Sequence, residues 1–215
     1  MQTLFEKLSG YRHIIWDWNG TLVDDAPQVV FIVNEMLEEQ GLNQITLNEY
    51  RDSFCHPVID FYSGLGFDFE KLSFDELCIQ FNNKYDNQRP QLTLHNDARE
   101  IAGKIADGIW TQSILSAAPE KALIDNVKAF GLDSFFNHVY GLDNLHAASK
   151  IERGHELIRA AGIPSQDTVL IGDTDHDFEV AEALGIDLIL IARGHQSFER
   201  LSKLHPETLP GLKAA

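Results

Sequence analysis

Three short apolar runs in this 215-residue chain end in side chains that could do chemistry together. His13 to Trp18 carries Asp17 and leads into Asn19-Gly20-Thr21. Ile109 to Ser116 ends in a hydroxyl, and Thr168 to Asp173 leads into Thr174-Asp175-His176-Asp177. Asp17 and Asp173, on two different runs, could share one hard cation, with Asp177 a turn further on. Clustered carboxylates repel unless a cation or a proton lies between them. An all-oxygen ligand set with room for water suits Mg²⁺ better than zinc. Either aspartate alone would be read as a turn cap, a common place for Asp. The two together, with Ser116 and with Lys150, the only lysine between Lys128 and Asp173, are better read as a site.

The elements that must position these groups follow from periodicity. The three runs, with Leu188 to Ala192 and His138 to Tyr140, have the length and Ile/Val/Leu/Trp content of buried strands. Helical patterns lie between them: Glu120 to Phe130, Ile151 to Ala161 and Phe178 to Leu184, each followed by a glycine. Strands alternating with helices predict a parallel sheet covered on both faces, with ligands outside the carboxyl ends of the strands. From about Asp24 to Arg89 the alternation stops. Pro27 opens an apolar stripe (Val29, Val30, Val33, Met36, Leu37), and Ser73 with Glu76 makes a capping box. A structureless loop of that length is implausible, so residues 24–89 are expected to form an inserted all-helical cap. Residues 1–23 and 90–215 then form an α/β core domain.

The segment Asp17-Trp18-Asn19-Gly20-Thr21-Leu22-Val23-Asp24 resembles the first motif of the haloacid dehalogenase (HAD) superfamily. Ile114-Leu115-Ser116 resembles its second motif, Lys150 its third, and Gly172-Asp173-Thr174 through Asp177 its fourth. The order is right, and within the superfamily the phosphoglycolate-phosphatase-like enzymes are the most similar. The resemblance implies a HAD-type Rossmann-like sheet with a cap of the first type, acting on a small phosphorylated metabolite. It implies that Asp17 attacks phosphorus and becomes an aspartyl phosphate that water later hydrolyses. Mg²⁺ would be held by the Asp17 carboxylate, the Asn19 backbone carbonyl and Asp173, with Asp177 holding a water ligand or supporting the shell. Ser116, with Ala117 beside it, would hydrogen-bond the phosphoryl group, and Lys150 would offset charge.

Asn19 departs from the pattern. The superfamily's phosphatases have Asp there, as acid to the leaving group and then base to the water, and an amide cannot shuttle a proton. A phosphatase whose leaving group needs little protonation, or whose proton comes from His176, His56 or His146, is one reading. A catalytically weak phosphometabolite-binding scaffold is another. Dehalogenation is disfavoured because Asp173 and Asp177 are kept, and a phosphonatase would need Lys71 or Lys84 in a suited apolar setting. Asn19-Gly20 is also a deamidation-prone pair that could generate the missing acid. In the cap, Arg51 and His56, beside Pro57, are candidate contacts for a small anionic substrate.

Composition limits the partners. Hydrophobic residues are 44% and charged residues 23%, enough for a core. Seventeen Lys+Arg against 33 Asp+Glu leave a net charge of −16, which repels phosphate backbones and anionic lipid, so neither nucleic acid nor membrane is expected. No apolar run reaches the ~18 residues of a membrane span, and no signal peptide is apparent, so a cytoplasmic location is expected. Cys55 and Cys78 have no CxxC spacing and read as small core residues.

Overall fold

The computed structural model describes residues 4–142 and 149–212. In chain order these form α1 (Leu4–Leu8), β1 (His13–Trp16), α2 (Ala26–Glu39), α3 (Leu47–Ser53), α4 (Val58–Gly64), α5 (Phe74–Gln88), α6 (Ala98–Ala106) and β2 (Thr111–Pro119). There follow α7 (Glu120–Ala129), β3 (His138–Leu142), α8 (Lys150–Ala161), β4 (Thr168–Gly172), α9 (Asp175–Leu184), β5 (Asp187–Ile191), α10 (Phe198–Leu204) and β6 (Thr208–Leu209). The six strands form one parallel sheet in the order β3-β2-β1-β4-β5-β6.

Every residue of β1 is buried, as a central strand of a doubly covered sheet requires. Its side chains alternate between two cores. Ile14 and Trp16 join Leu8, Ile101, Leu123 and Val127 from α1, α6 and α7. Ile15 faces Leu157, Val180, Leu184 and Leu201 from α8, α9 and α10. The chain leaves β1 for β2 on one side and returns to β4 on the other. This reversal of strand order is where an open α/β sheet leaves a crevice. Register then decides which residues meet there. Trp16 pairs with Ile114 and with Ile171, so Asp17, Ser116 and Asp173 emerge within two residues of one level.

Between β1 and β2, helices α2 to α5 build their own core from Val29, Val30, Ile32, Val33, Met36, Leu37, Tyr50, Phe61 and Leu77. The Ser73–Glu76 capping box forms as the sequence suggests, and Thr46–Glu49 makes a second one. The two linkers to this helical insert are tied to each other. The Asp24 N–H donates to the Thr93 carbonyl at 2.8 Å, and Val23 bridges Leu94 antiparallel.

Four elements are not anticipated by periodicity: α1, α6, α10 and β6. The first, third and fourth are five, seven and two residues long, too short for a period to emerge. In α6 two of the four buried positions are alanines, which pack closely but add little apolar signal. Strand β2 begins at Thr111 because Ile109 is 86% exposed, outside the sheet. Cys55 and Cys78 are half-buried rather than core residues, and burial pushes both thiols up, which suits neither for nucleophilic work. No helix among the described residues is long and apolar enough to cross a membrane.

Candidate active site

Asp17 follows β1 directly, its N–H continuing the ladder to the Ile171 carbonyl at 2.8 Å. Lys150, the first residue of α8, is placed by a capping box between Ser149 and Glu152. Its ammonium reaches Asp17 Oδ1 at 2.5 Å and Asp177 Oδ1 at 2.6 Å. Asp173 Oδ1 accepts from Thr21 Oγ1 at 2.8 Å, and its Oδ2 accepts from the His195 N–H at 2.7 Å. Carboxylate oxygens of Asp17, Asp173 and Asp177 lie within 4.8 Å of one another, and all three residues are buried. Both oxygens of Asp177 are engaged, since Oδ2 accepts from the Asp173 and Thr174 N–H groups and from Thr174 Oγ1.

The charge balance is uneven, with three carboxylates against the one ammonium between them. Burial raises the Asp17 carboxyl to about 8, with Asp177 and Asp173 adding and Lys150 opposing. Burial likewise lifts Asp173 to about 6, against the pull of His195. Asp177 stays below its ordinary value because Lys150 and Thr174 outweigh burial. Burial opposes the Lys150 charge, yet the same carboxylates hold it well above the usual lysine range. A hard cation bound by oxygens fits this donor set and relieves what Lys150 leaves uncompensated.

Two glycines make the close packing possible. A Cβ on Gly194 would sit 2.1 Å from Asp173 Oδ2, and one on Gly20, at φ +78°, would sit 2.3 Å from the same atom. Gly194→Ala is expected to displace the Asp173 carboxylate, at a cost of about 1–3 kcal/mol for overpacking. Denaturant unfolding would measure it, and an unchanged midpoint would contradict the packing described.

The remaining sequence candidates differ in their surroundings. Ser116 is buried, its Oγ accepting from the Ala118 N–H at 3.1 Å, while Ala117 beside it is exposed. His146 lies outside the described residues. Arg51 and His56 are engaged with the sheet. Arg51 Nε and Nη2 each donate at 2.8 Å to the Gly194 and Arg193 carbonyls, and His56 Nδ1 lies 2.8 Å from Asp175 Oδ1. With Gln196 Nε2 donating to the Phe54 carbonyl at 3.0 Å, Arg51 ties this segment to the loop after β5, while His56 ties it to the start of α9. His176 pairs with Glu179. Lys71 and Lys84 are bound to Asp68 and Glu39 at 2.9 Å, contacts that raise both ammonium groups and suit neither to form a Schiff base.

Sequence reading missed Asp25, Tyr85 and His195. Asp25 follows Asp24 in a pair that looks uniformly solvated, yet it is 1% exposed. Its Oδ1 accepts from the Gly20 N–H at 2.8 Å and lies 3.3 Å from His195 Nε2. Its Oδ2 accepts from Asn19 Nδ2 at 2.8 Å and from Tyr85 OH at 2.7 Å. Burial works against the His195 imidazolium, but Asp25 and the nearby Asp173 and Asp17 outweigh it and raise the group to about 9. The one available signal was position, because His195 follows a strand that ends at this edge. Gly20 N–H also donates to the Val23 carbonyl at 2.9 Å. With that nitrogen doubly engaged, attack on the Asn19 amide is blocked, and peptide mapping is expected to find unmodified Asn19. Aspartate or isoaspartate there would contradict this.

The chain matches the haloacid dehalogenase-like hydrolases over residues 14–191 and belongs to that family. Among curated relatives, a phosphoglycolate phosphatase from Rhodobacter capsulatus is 24% identical, the match covering 93% of this chain and 95% of that protein. One from Colwellia psychrerythraea is 23% identical, over 94% and 93% of the two chains. A haloacid dehalogenase-like hydrolase from Streptococcus pneumoniae shares the fold, with TM-score 0.78, 19% identity and 93% of each chain covered.

Proposed function

We propose that this hydrolase cleaves a small phosphomonoester through a phosphorylated Asp17, with Mg²⁺ as its metal. The observation that carries the reading is the placement of Lys150 between Asp17 and Asp177 inside one buried carboxylate cluster. An Asp17 oxygen forms a bond to phosphorus as the bond to the leaving oxygen breaks. Water then cleaves the aspartyl phosphate and regenerates Asp17. Lys150 offsets charge on Asp17 and on the incoming phosphoryl group, and the Ser116 hydroxyl hydrogen-bonds a phosphoryl oxygen. Asp17, Asp173 and the Asn19 backbone carbonyl would hold Mg²⁺, which when bound supplies charge neutralisation at the phosphoryl oxygens. Asp177, both of whose oxygens already have donors, orients Lys150 and the Asp173 loop.

The helical insert acts as a cap that excludes water and contacts the substrate beyond its phosphate. In this reading Arg51 holds the cap to the loop after β5 through Nε and Nη2, and His56 holds it to Asp175 through Nδ1. The likeness to phosphoglycolate phosphatases supports the phosphomonoester. One observation favours a second reading, a binding scaffold with little turnover: the non-titrating Asn19 two residues from Asp17. Phosphate release by the purified protein, with and without Mg²⁺, decides between them. The hydrolase predicts release that requires Mg²⁺ and is lost in Asp17→Asn; the scaffold predicts analogue binding without release.

A further inference from the structure

An alkyl leaving group needs a proton as its bond to phosphorus breaks, so every proton-bearing group around Asp17 matters. The Lys150 ammonium is bound to Asp17 and Asp177. The Tyr85 hydroxyl donates its hydrogen to Asp25. The two ring nitrogens of His195 face Asp25 and the Tyr50 hydroxyl, and His95 Nε2 lies 2.9 Å from the Gly20 carbonyl. His56 and His176 are paired with Asp175 and Glu179. Lys150, Tyr85 and both ring nitrogens of His195 are thus engaged by protein partners, and His56 and His176 are engaged through one ring nitrogen each.

Asn19 itself is fixed in one sense. Its Nδ2 donates to Asp25 Oδ2 at 2.8 Å and to Tyr85 OH at 2.7 Å. A carboxylate only accepts, and the Tyr85 hydroxyl already donates its hydrogen to Asp25, so both neighbours require the NH₂ group to face them. Flipping the amide would set its oxygen against a buried carboxylate. The two Nδ2 hydrogens are therefore consumed, and the side chain's remaining polar atom, Oδ1, is an acceptor turned away from that pair.

We propose that Asp25 is a positioning residue that, with Tyr85, holds Asn19 as an acceptor only, and that the enzyme therefore acts on acyl and aryl phosphates rather than alkyl phosphates. The proposal rests on the phosphatase reading above: it restricts the esters to aryl phosphates and adds acyl phosphates, which are mixed anhydrides. Asp17 bonds to phosphorus while the P–O bond breaks, and the electron pair departs on a carboxylate or phenolate oxygen that needs no proton. Water then adds to phosphorus, its hydrogen held by Asn19 Oδ1. The bond from phosphorus to Asp17 breaks, and both water hydrogens end on the phosphate as H₂PO₄⁻.

The test is a leaving-group series: acetyl phosphate and 4-nitrophenyl phosphate against 2-phosphoglycolate and a sugar phosphate, with Mg²⁺, for wild type, Asn19→Asp, Asp25→Asn and Asp17→Asn. Wild type is expected to turn over the acyl and aryl substrates at least ~10²-fold faster than the alkyl ones. Asn19→Asp, which introduces a titratable carboxyl, is expected to raise alkyl turnover by about 10²-fold and flatten the series. Asp25→Asn releases the amide, so phosphorylated Asp17 should accumulate in quenched samples while KM for acetyl phosphate stays near wild type. A purely structural role for Asp25 would lower all substrates alike without that accumulation, and would overturn its assignment. Equal wild-type rates on alkyl and aryl phosphates, with Asp17→Asn inactive, would overturn the substrate class alone. Asp17→Asn matching wild type, or no release from any substrate, would overturn the phosphatase reading itself.

Discussion

Lys150→Met is expected to lower both stability and turnover. Lys150 is 5% exposed, and its ammonium is shared by two buried carboxylates. Removing one partner from a buried ion pair costs about 3–5 kcal/mol, because the other charge stays desolvated and unpaired. Phosphate release should fall by about 10³-fold, the scale of losing one preorganised donor to the phosphoryl group. Lys150→Arg should not rescue it, since a planar fork does not fit contacts of 2.5 and 2.6 Å made by one nitrogen. Chemical denaturation and phosphate assays check both halves. A variant as stable as wild type would mean that the carboxylates are neutralised another way.

Without divalent metal, stability is expected to fall as pH rises from about 5 to about 9. The sign follows from where protons bind. Burial raises Asp17 from 3.8 to about 8 and Asp173 from 3.8 to about 6. Between the unfolded and folded values the folded state holds more protons, so raising pH favours unfolding. His195 acts in the same direction: burial opposes its charge, but Asp25 lifts it from 6.5 to about 9. Its contribution is complete below 6.5 and is lost as pH climbs through 9. Asp25 and Asp177, both held below 3.8, add stability only as pH rises through the acid range below that value. His13, which burial lowers from 6.5 to about 4, adds stability over that interval and offsets part of the fall; at about 1.4 kcal/mol per pKa unit the net metal-free decline should still reach several kcal/mol. Saturating Mg²⁺ should remove the Asp17 and Asp173 parts and leave the shallower His195 slope. Thermal melts in EDTA and in Mg²⁺ across this range check it. Identical slopes in the two series would contradict a cation at these carboxylates.

What could be read from the residues was local. The central strand His13–Trp16 is buried throughout, so its apolar run carries the signal by itself. The Ser73–Glu76 capping box spans three positions and was equally visible. The convergence of Asp17, Ser116, Lys150 and Asp173 followed from a rule about strand ends, and the register places three of them within two residues of one level. The rest depends on contacts distant in sequence. Asp25 differs from Asp24 only because Tyr85, 60 positions on, and His195 close over it. Arg51 looks like a free cation until the carbonyls of Arg193 and Gly194 arrive 142 and 143 positions later. Asn19 could be recognised as a departure from the family's pattern, but its fixed orientation needed both neighbours in place.

The phosphoryl group on Asp17 is the central claim, and trapping it is the most direct test. Protein mixed with acetyl phosphate and Mg²⁺, quenched in acid within the turnover time and mapped by peptide mass, should carry phosphate on the peptide containing Asp17. The same peptide from Asp17→Asn should carry none. Steady phosphate release from wild type with no phosphorylated peptide at any quench time, or phosphate found on another residue, would contradict the account.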